Sequence, residues 1–236
     1  ARVSVTGVRI TGQGLDFAVR VENLTGHKMP TAFPSRRAWL HVVVRDAGGR
    51  TVFESGALRP DGSIVGNDND DDPWRYEPHY SVITKPDAVE IFESILKTSQ
   101  GSVTTGLIAA VGYLKDNRLL PHGFDKKTAV PDIAVVGRAA DDANFTGGSS
   151  TTEYRIDAKG AQGPFRVSAE LWYQPVGYRW THNLAPYTAA ETQRWVHYYE
   201  ENSTGTAVLL AHAEVDGTSA ARLRDGSEGG GRGSAR

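Results

Sequence analysis

Residues 67–72 read Asn-Asp-Asn-Asp-Asp-Asp, a run of oxygen donors, with Glu77 just beyond. Carboxylates packed this closely repel one another, and a hard cation relieves the repulsion. Calcium accepts six to eight oxygen ligands in irregular geometry. Asn67, Asp68, Asn69, Asp70, Asp72 and Glu77 are therefore candidate calcium ligands, with Asp71 in the same run. The spacing Asp68-x-Asp70-x-Asp72 matches the opening of an EF-hand loop. The remainder does not, because Pro73 stands at the glycine position and His79 at the closing glutamate. The segment is a different kind of calcium loop or a solvated acidic turn, and both readings stay open. Asp141 and Asp142 form a second, smaller acidic pair.

The seven histidines are scattered, with no H-E-x-x-H motif and no i, i+4 pair of zinc type. His27 lies in a loop between two strand-like stretches, beside Lys28 and the single methionine, Met29. His79 borders the acidic run. Arg36 and Arg37 precede Trp39, and their planar guanidinium groups suit carboxylate partners, the acidic run among them, or a solvent-facing turn. No G-x-S-x-G, P-loop or G-x-G-x-x-G motif is present, and no acid–base pair has support from spacing. The expectation is a protein that is not an enzyme. N-x-S/T sequons fall at Asn23, Asn144 and Asn202.

The bulk properties narrow the classes further. The chain has 236 residues, 39% hydrophobic and 23% charged, with a formal net charge of -2. That length buries a core without staples, and near-neutrality offers no long-range attraction to nucleic acid. With no cysteines, disulfides, thiolate-bound zinc and covalent c-type haem are excluded. No apolar run approaches a membrane span. The chain opens on Ala1 rather than Met, for which a processed N-terminus is the simple reading.

Positioning these residues falls mainly to strands. Leu15, Phe17, Val19 and Val21 alternate with polar residues, the period of a half-buried strand. Residues 39–45 are apolar on both faces, and Gly48-Gly49 turns them into a partner at 51–55. Residues 58–80 are a long polar insertion. The 86–97 stretch fits strand or helix, and 103–114 reads as one or two buried strands broken by glycines. Residues 115–127 are loop-like. Residues 151–157 and 165–174 form the clearest late strand pair. One helix is expected from a capping box, Thr188-Ala-Ala-Glu191, with Trp195, Tyr198, Tyr199 and Asn202 on one face. The dense aromatic group at 172–199 reads first as packing of that helix on a sheet. The sum is a mainly β chain: an immunoglobulin-like β-sandwich with long loop insertions and one or two helices, over residues 1–216. Residues 217–236, rich in Gly, Ser, Arg and Asp, read as a flexible tail.

Four stretches resemble the C-terminal β-rich region of multihaem c-type cytochromes of anaerobic and metal-respiring bacteria. They are NLTGHKMPTAFPSRRAWLHVVVRDAGG (23–49), GNDNDDDPWRYEPHY (66–80), YLKDNRLLPHGFDK (113–126) with IAVVGRAADDANF (133–145), and LWYQPVGYRWTHNL (171–184). The order is right and the set spans nearly the whole ordered chain. The resemblance implies a non-catalytic accessory domain or subunit in extracytoplasmic electron transfer, periplasmic or extracellular. Haem c would come only from a partner chain or from a missing upstream region. His27 becomes a candidate axial ligand, against the alternative that it packs its loop. Lys28, Arg36 and Arg37 become candidates to meet haem propionates or a partner. Assembly into a larger complex or filament stays open. The competing reading is a calcium-dependent polysaccharide or cell-surface binding module, built on the acidic run and the aromatic group.

Overall fold

A computed structural model describes residues 1–12 and 14–217. Strands β1 (Arg2–Thr11) and β2 (Gly14–Glu22) form an antiparallel pair, followed by β3 (Arg37–Arg45) and β4 (Thr51–Ser55). A long insertion carries the short helix α1 (Asp68–Asp71) and the strands β5 (Val82–Ile83), β6 (Ile91–Phe92) and β7 (Ser94–Lys97). Then come β8 (Val103–Thr104), β9 (Gly112–Asp116), β10 (Phe145–Thr146), β11 (Ser149–Asp157) and β12 (Phe165–Gln174). Helices α2 (Tyr178–His182) and α3 (Ala190–Asn202) precede the last strand, β13 (Val208–Gly217).

Two sheets face each other. One runs β1-β2-β11-β10 with β5 beside β11; the other runs β13-β12-β3-β4 with β6 beside β3. The alternation on β2 puts Leu15, Phe17, Val19 and Val21 inside, and β3 answers from across with Leu40, Val42 and Val44. Tyr154 on β11 stacks on Phe17 at 4.9 Å and meets Phe53 of the opposite sheet edge-on at 6.1 Å. The expected mainly β sandwich with long insertions is what the chain forms. A small third sheet, β8-β7-β9, sits in the insertions.

The outer face of β3 is covered as well. Trp39 is fully buried against Ile64, Val89 and Ile91 of the insertion and lies 6.4 Å from Trp172. Its indole N–H donates to the Gly56 carbonyl at 2.9 Å. Gly56 has φ +78°, and a Cβ there would stand 2.3 Å from the Leu40 carbonyl oxygen, so glycine is required.

Several expectations are corrected. β11 and β12 are strands, but they do not pair: β11 pairs with β2 and β12 with β3, so the two belong to opposite sheets. Of residues 103–114 only the ends are strand, and the intervening Leu107, Ile108 and Val111 are exposed. The stretch at 86–97 resolves into β6 and β7. The capping box does not form: Ala189 is the N-cap of α3, and no side chain caps it. That helix buries Val196 and Tyr199, while Trp195 and Tyr198 stay half-exposed. Gly217 is the last residue of β13, paired with Phe165, and the rest of the expected tail, 218–236, lies outside the described residues. Among the described residues no helix is long and apolar enough to cross a membrane.

Candidate functional site: the His27 loop and its polar supports

The loop between β2 and β3 is pinned by Asn23. Its amide Nδ2 donates to the carbonyls of His27 at 2.7 Å and Leu119 at 3.0 Å, while Oδ1 accepts from the Thr25 N–H and hydroxyl. The Asn23 N–H bonds the Gly148 carbonyl, and Met29 exchanges two backbone bonds with Leu119. Asn23 is buried and fully engaged, so the first of the three sequons is not on the surface.

His27 itself is exposed. Its Nδ1 lies 3.0 Å from the Lys28 carbonyl, with the Thr25 hydroxyl at 3.4 Å. A carbonyl can only accept, so this contact selects the Nδ1–H tautomer and leaves the lone pair on Nε2. Among the described residues Nε2 meets no partner. An imidazole fixed through Nδ1 with Nε2 open has the arrangement of a metal-ligating histidine supported by a backbone carbonyl.

Beside it, the Lys28 ammonium bonds Asp116 at 2.8 Å and the Ala134 carbonyl at 3.3 Å. Arg118 grips the same carboxylate through two nitrogens, at 2.9 and 2.7 Å. Burial pushes the Asp116 carboxyl up, and Arg118 and Lys28 outweigh it, so the group titrates below the usual range. Burial pulls the Lys28 ammonium down against the opposing effect of Asp116. Lys28 is thus committed to an internal pair rather than offered to a partner. Arg36 bonds the Thr31 carbonyl at 3.0 Å and stays half-buried.

Arg37 does not reach the surface. It is 3% exposed and spends its donors on Asp70, Gln174 and the Gly62 carbonyl. Asp70 also accepts the Ile64 N–H at 2.8 Å. Arg179 from α2 reaches over to the carbonyls of Asn69 and Asp70. The acidic run is therefore a short helix bound by arginines. Asn67 caps it by accepting the Asn69 N–H, Asp68 pairs with Arg75 at 2.6 Å, Asp71 approaches Arg59 at 3.4 Å, and Asp72 accepts the Trp74 N–H. Asn69 donates to the Arg75 carbonyl, and Glu77 is buried beneath, accepting from Asp68 and Val89. Among the described residues no three His, Asp or Glu side chains are gathered as a metal site would need. The carboxylates of Asp68, Asp70 and Asp71 meet the guanidinium groups of Arg75, Arg37 and Arg59.

His79, at 3% exposure, lies between two carboxylates, with Nδ1 2.6 Å from Glu90 and Nε2 3.0 Å from Asp142. Only a doubly protonated ring donates to both. Burial works against that charge, and Glu90 and Asp142 overcome it, so His79 titrates above the usual imidazole range. Asn117 donates to Glu90 and to the Ile91 carbonyl, completing the cluster. Sequence reasoning missed Glu90 and Asn117. The available signal was a lone glutamate inside the apolar run Val89-Glu90-Ile91-Phe92, where a charge needs a buried partner.

Part of the aromatic group packs, while Tyr187, Trp195 and Tyr198 stay exposed. His182 stacks on Tyr178 at 3.6 Å, Trp195 donates to Thr181, and the Tyr199 hydroxyl meets Gln174 at the end of β12. The helix α3 thereby rests on α2 and on the end of β12, not across a sheet.

No protein-family model matches this chain, and no curated protein matches it. Among solved structures it is similar to the crystal structure of a penta-heme cytochrome c552 from Thermochromatium tepidum, at 18% sequence identity and a TM-score of 0.46. The match covers 91% of this chain and 38% of that one, so the chain spans well under half of that protein's length.

Proposed function

We propose that this chain is a non-catalytic accessory domain of extracytoplasmic electron transfer, packing beside a haem-bearing chain or region and presenting His27 to its iron. The observation that carries this is the His27 imidazole, exposed, tied through Nδ1 to a carbonyl and open at Nε2. Such a ring needs little reorientation to ligate. Bound, the haem would supply the redox chemistry. The residues of this chain would hold the ligand's tautomer, fix its loop through Asn23, and keep water from the haem edge.

A second observation supports the reading. The stretches that resemble multihaem cytochromes meet in three internal networks. Lys28 with Asp116 and Arg118 joins the first stretch to the third. Arg37 with Asp70, Gln174 and Arg179 joins the first, second and fourth. His79 with Asn117 and Asp142 joins the second to the third. The polar residues of these networks act as fasteners of the fold, whereas His27 is exposed and, among the described residues, meets no partner on Nε2.

The test uses a c-type haem peptide with one axial position open. Addition of the protein should convert its spectrum from high-spin to low-spin, saturably. His27→Ala should abolish the conversion, while His122→Ala and His212→Ala should retain it. Equal conversion by the His27→Ala variant would overturn the assignment.

A further inference from the structure

A cleft of about 270 Å³ opens beside the His79 cluster, lined by Asp68, Tyr76, Pro78, Lys115, Gly137 and Arg138. A neighbouring hollow continues it past His79 and Arg138 toward Tyr80, Asp141 and Asp142. The charges in this cleft are unevenly satisfied. Asp68 is held by Arg75, Asp142 by His79, and buried Glu77 accepts two backbone N–H groups. Asp141 is exposed. On the cationic side, His79 is used on both nitrogens. Lys115 is 1% exposed, yet its ammonium meets one acceptor among the described residues, Glu93 at 3.0 Å. An ammonium has three N–H donors, and buried donors are normally paired. The Arg138 guanidinium, at the boundary of the two hollows, makes no hydrogen bond or ion pair among the described residues.

The backbone favours the same spot. Gly137 has φ +86°, and a Cβ there would stand 3.2 Å from the Leu114 carbonyl oxygen. The bare glycine lets the Arg138 segment lie close against β9, which brings Arg138 and Lys115 to one cleft. A fork-shaped guanidinium beside an under-used ammonium is suited to a carboxylate or phosphate group. We propose that this cleft is a binding site for a small oxyanion, a carboxylate or phosphate group held by Arg138 with Lys115 behind it. The site is separate from His27, and the proposal does not depend on haem ligation.

The experiment titrates the protein with inorganic phosphate, acetate and citrate at constant ionic strength, with sodium chloride as the control. The readout is the NMR shift of the Gly137 and Arg138 amides and of the Arg138 side-chain N–H. Saturable shifts confined to these residues, weakened at least tenfold in apparent affinity by Arg138→Gln and unchanged by the distant Arg155→Gln, support the site. Saturation by phosphate alone or by the carboxylates alone identifies which oxyanion it takes. Shifts that follow ionic strength only, that scatter over the surface, or that persist in Arg138→Gln overturn it. Arg138 is exposed, so its replacement leaves the fold intact.

Discussion

One nitrogen of Arg37 lies 2.8 and 2.9 Å from the two carboxylate oxygens of Asp70, and neither side chain reaches solvent. The pair ties the first residue of β3 to the acidic helix of the insertion. Removing one member strands the other as a buried charge, which costs about 3–5 kcal/mol. Asp70→Ala should lose stability on that scale in urea denaturation. A loss below about 1 kcal/mol would equal that of an exposed ion pair and would show that Asp70 does not fasten the insertion to β3.

Stability should fall off on both sides of neutrality for different reasons. His79 has a folded-state value above its unfolded one, so its contribution is complete below about pH 6.5 and is lost as pH rises through the folded-state value. Asp116 has a folded-state value below its unfolded one. Its contribution is present above about pH 3.9 and is lost as pH falls through the folded-state value. Urea midpoints measured from about pH 2 to 9 should decline toward both ends. His79→Gln should flatten that decline while leaving the acid limb in place. An unchanged alkaline slope in the variant would assign the dependence to another group.

Calcium should leave the melting temperature unchanged, as should a chelator. The carboxylates of Asp68 and Asp70 are already neutralised by Arg75 and Arg37, and a ligand that binds the folded state raises its stability by mass action. A calcium-dependent rise of several degrees would mean that the arginine contacts yield to the cation.

Asn23 and His27 should separate support from function. Asn23→Ala removes four hydrogen bonds at a buried position and should cost about 1–3 kcal/mol, because bonds that pin the loop are lost where water does not replace them. His27→Ala, at an exposed position, should change stability by no more than about 0.5 kcal/mol. Thermal and urea denaturation of both variants checks this. A strongly destabilised His27→Ala protein would make the imidazole a packing residue.

The fold was legible wherever period decided it. The alternation at 15–21 and the apolar run at 39–45 with its glycine turn led directly to β2, β3 and β4. Pairing was not legible at 151–174, because a strand's period says which face is buried and nothing about which sheet receives it. The capping box failed because the turn before α3 places Ala189, not Thr188, at the N-cap, where the helix geometry rather than the motif decides. The acidic run was recognised as needing compensation, and Arg37 was a named candidate to supply it; the other sources were hidden. Arg59 and Arg179 are brought to it only by tertiary folding. His27 could be singled out from its loop, whereas the tautomer that gives it a free lone pair depends on a single backbone contact.

The allocation of β11 to one sheet and β12 to the other has a consequence for the order in which the molecule can be built. β2 receives its second neighbour only from 149–157, and β3 receives β12 only from 165–174. During synthesis the first half of the chain would emerge with both of its central strands half-paired. Neither layer can close early and wait for the other. Both are completed only in late sequence, one by β11 and the other by β12 and β13, which makes the late part of the polypeptide the step on which folding of the whole turns.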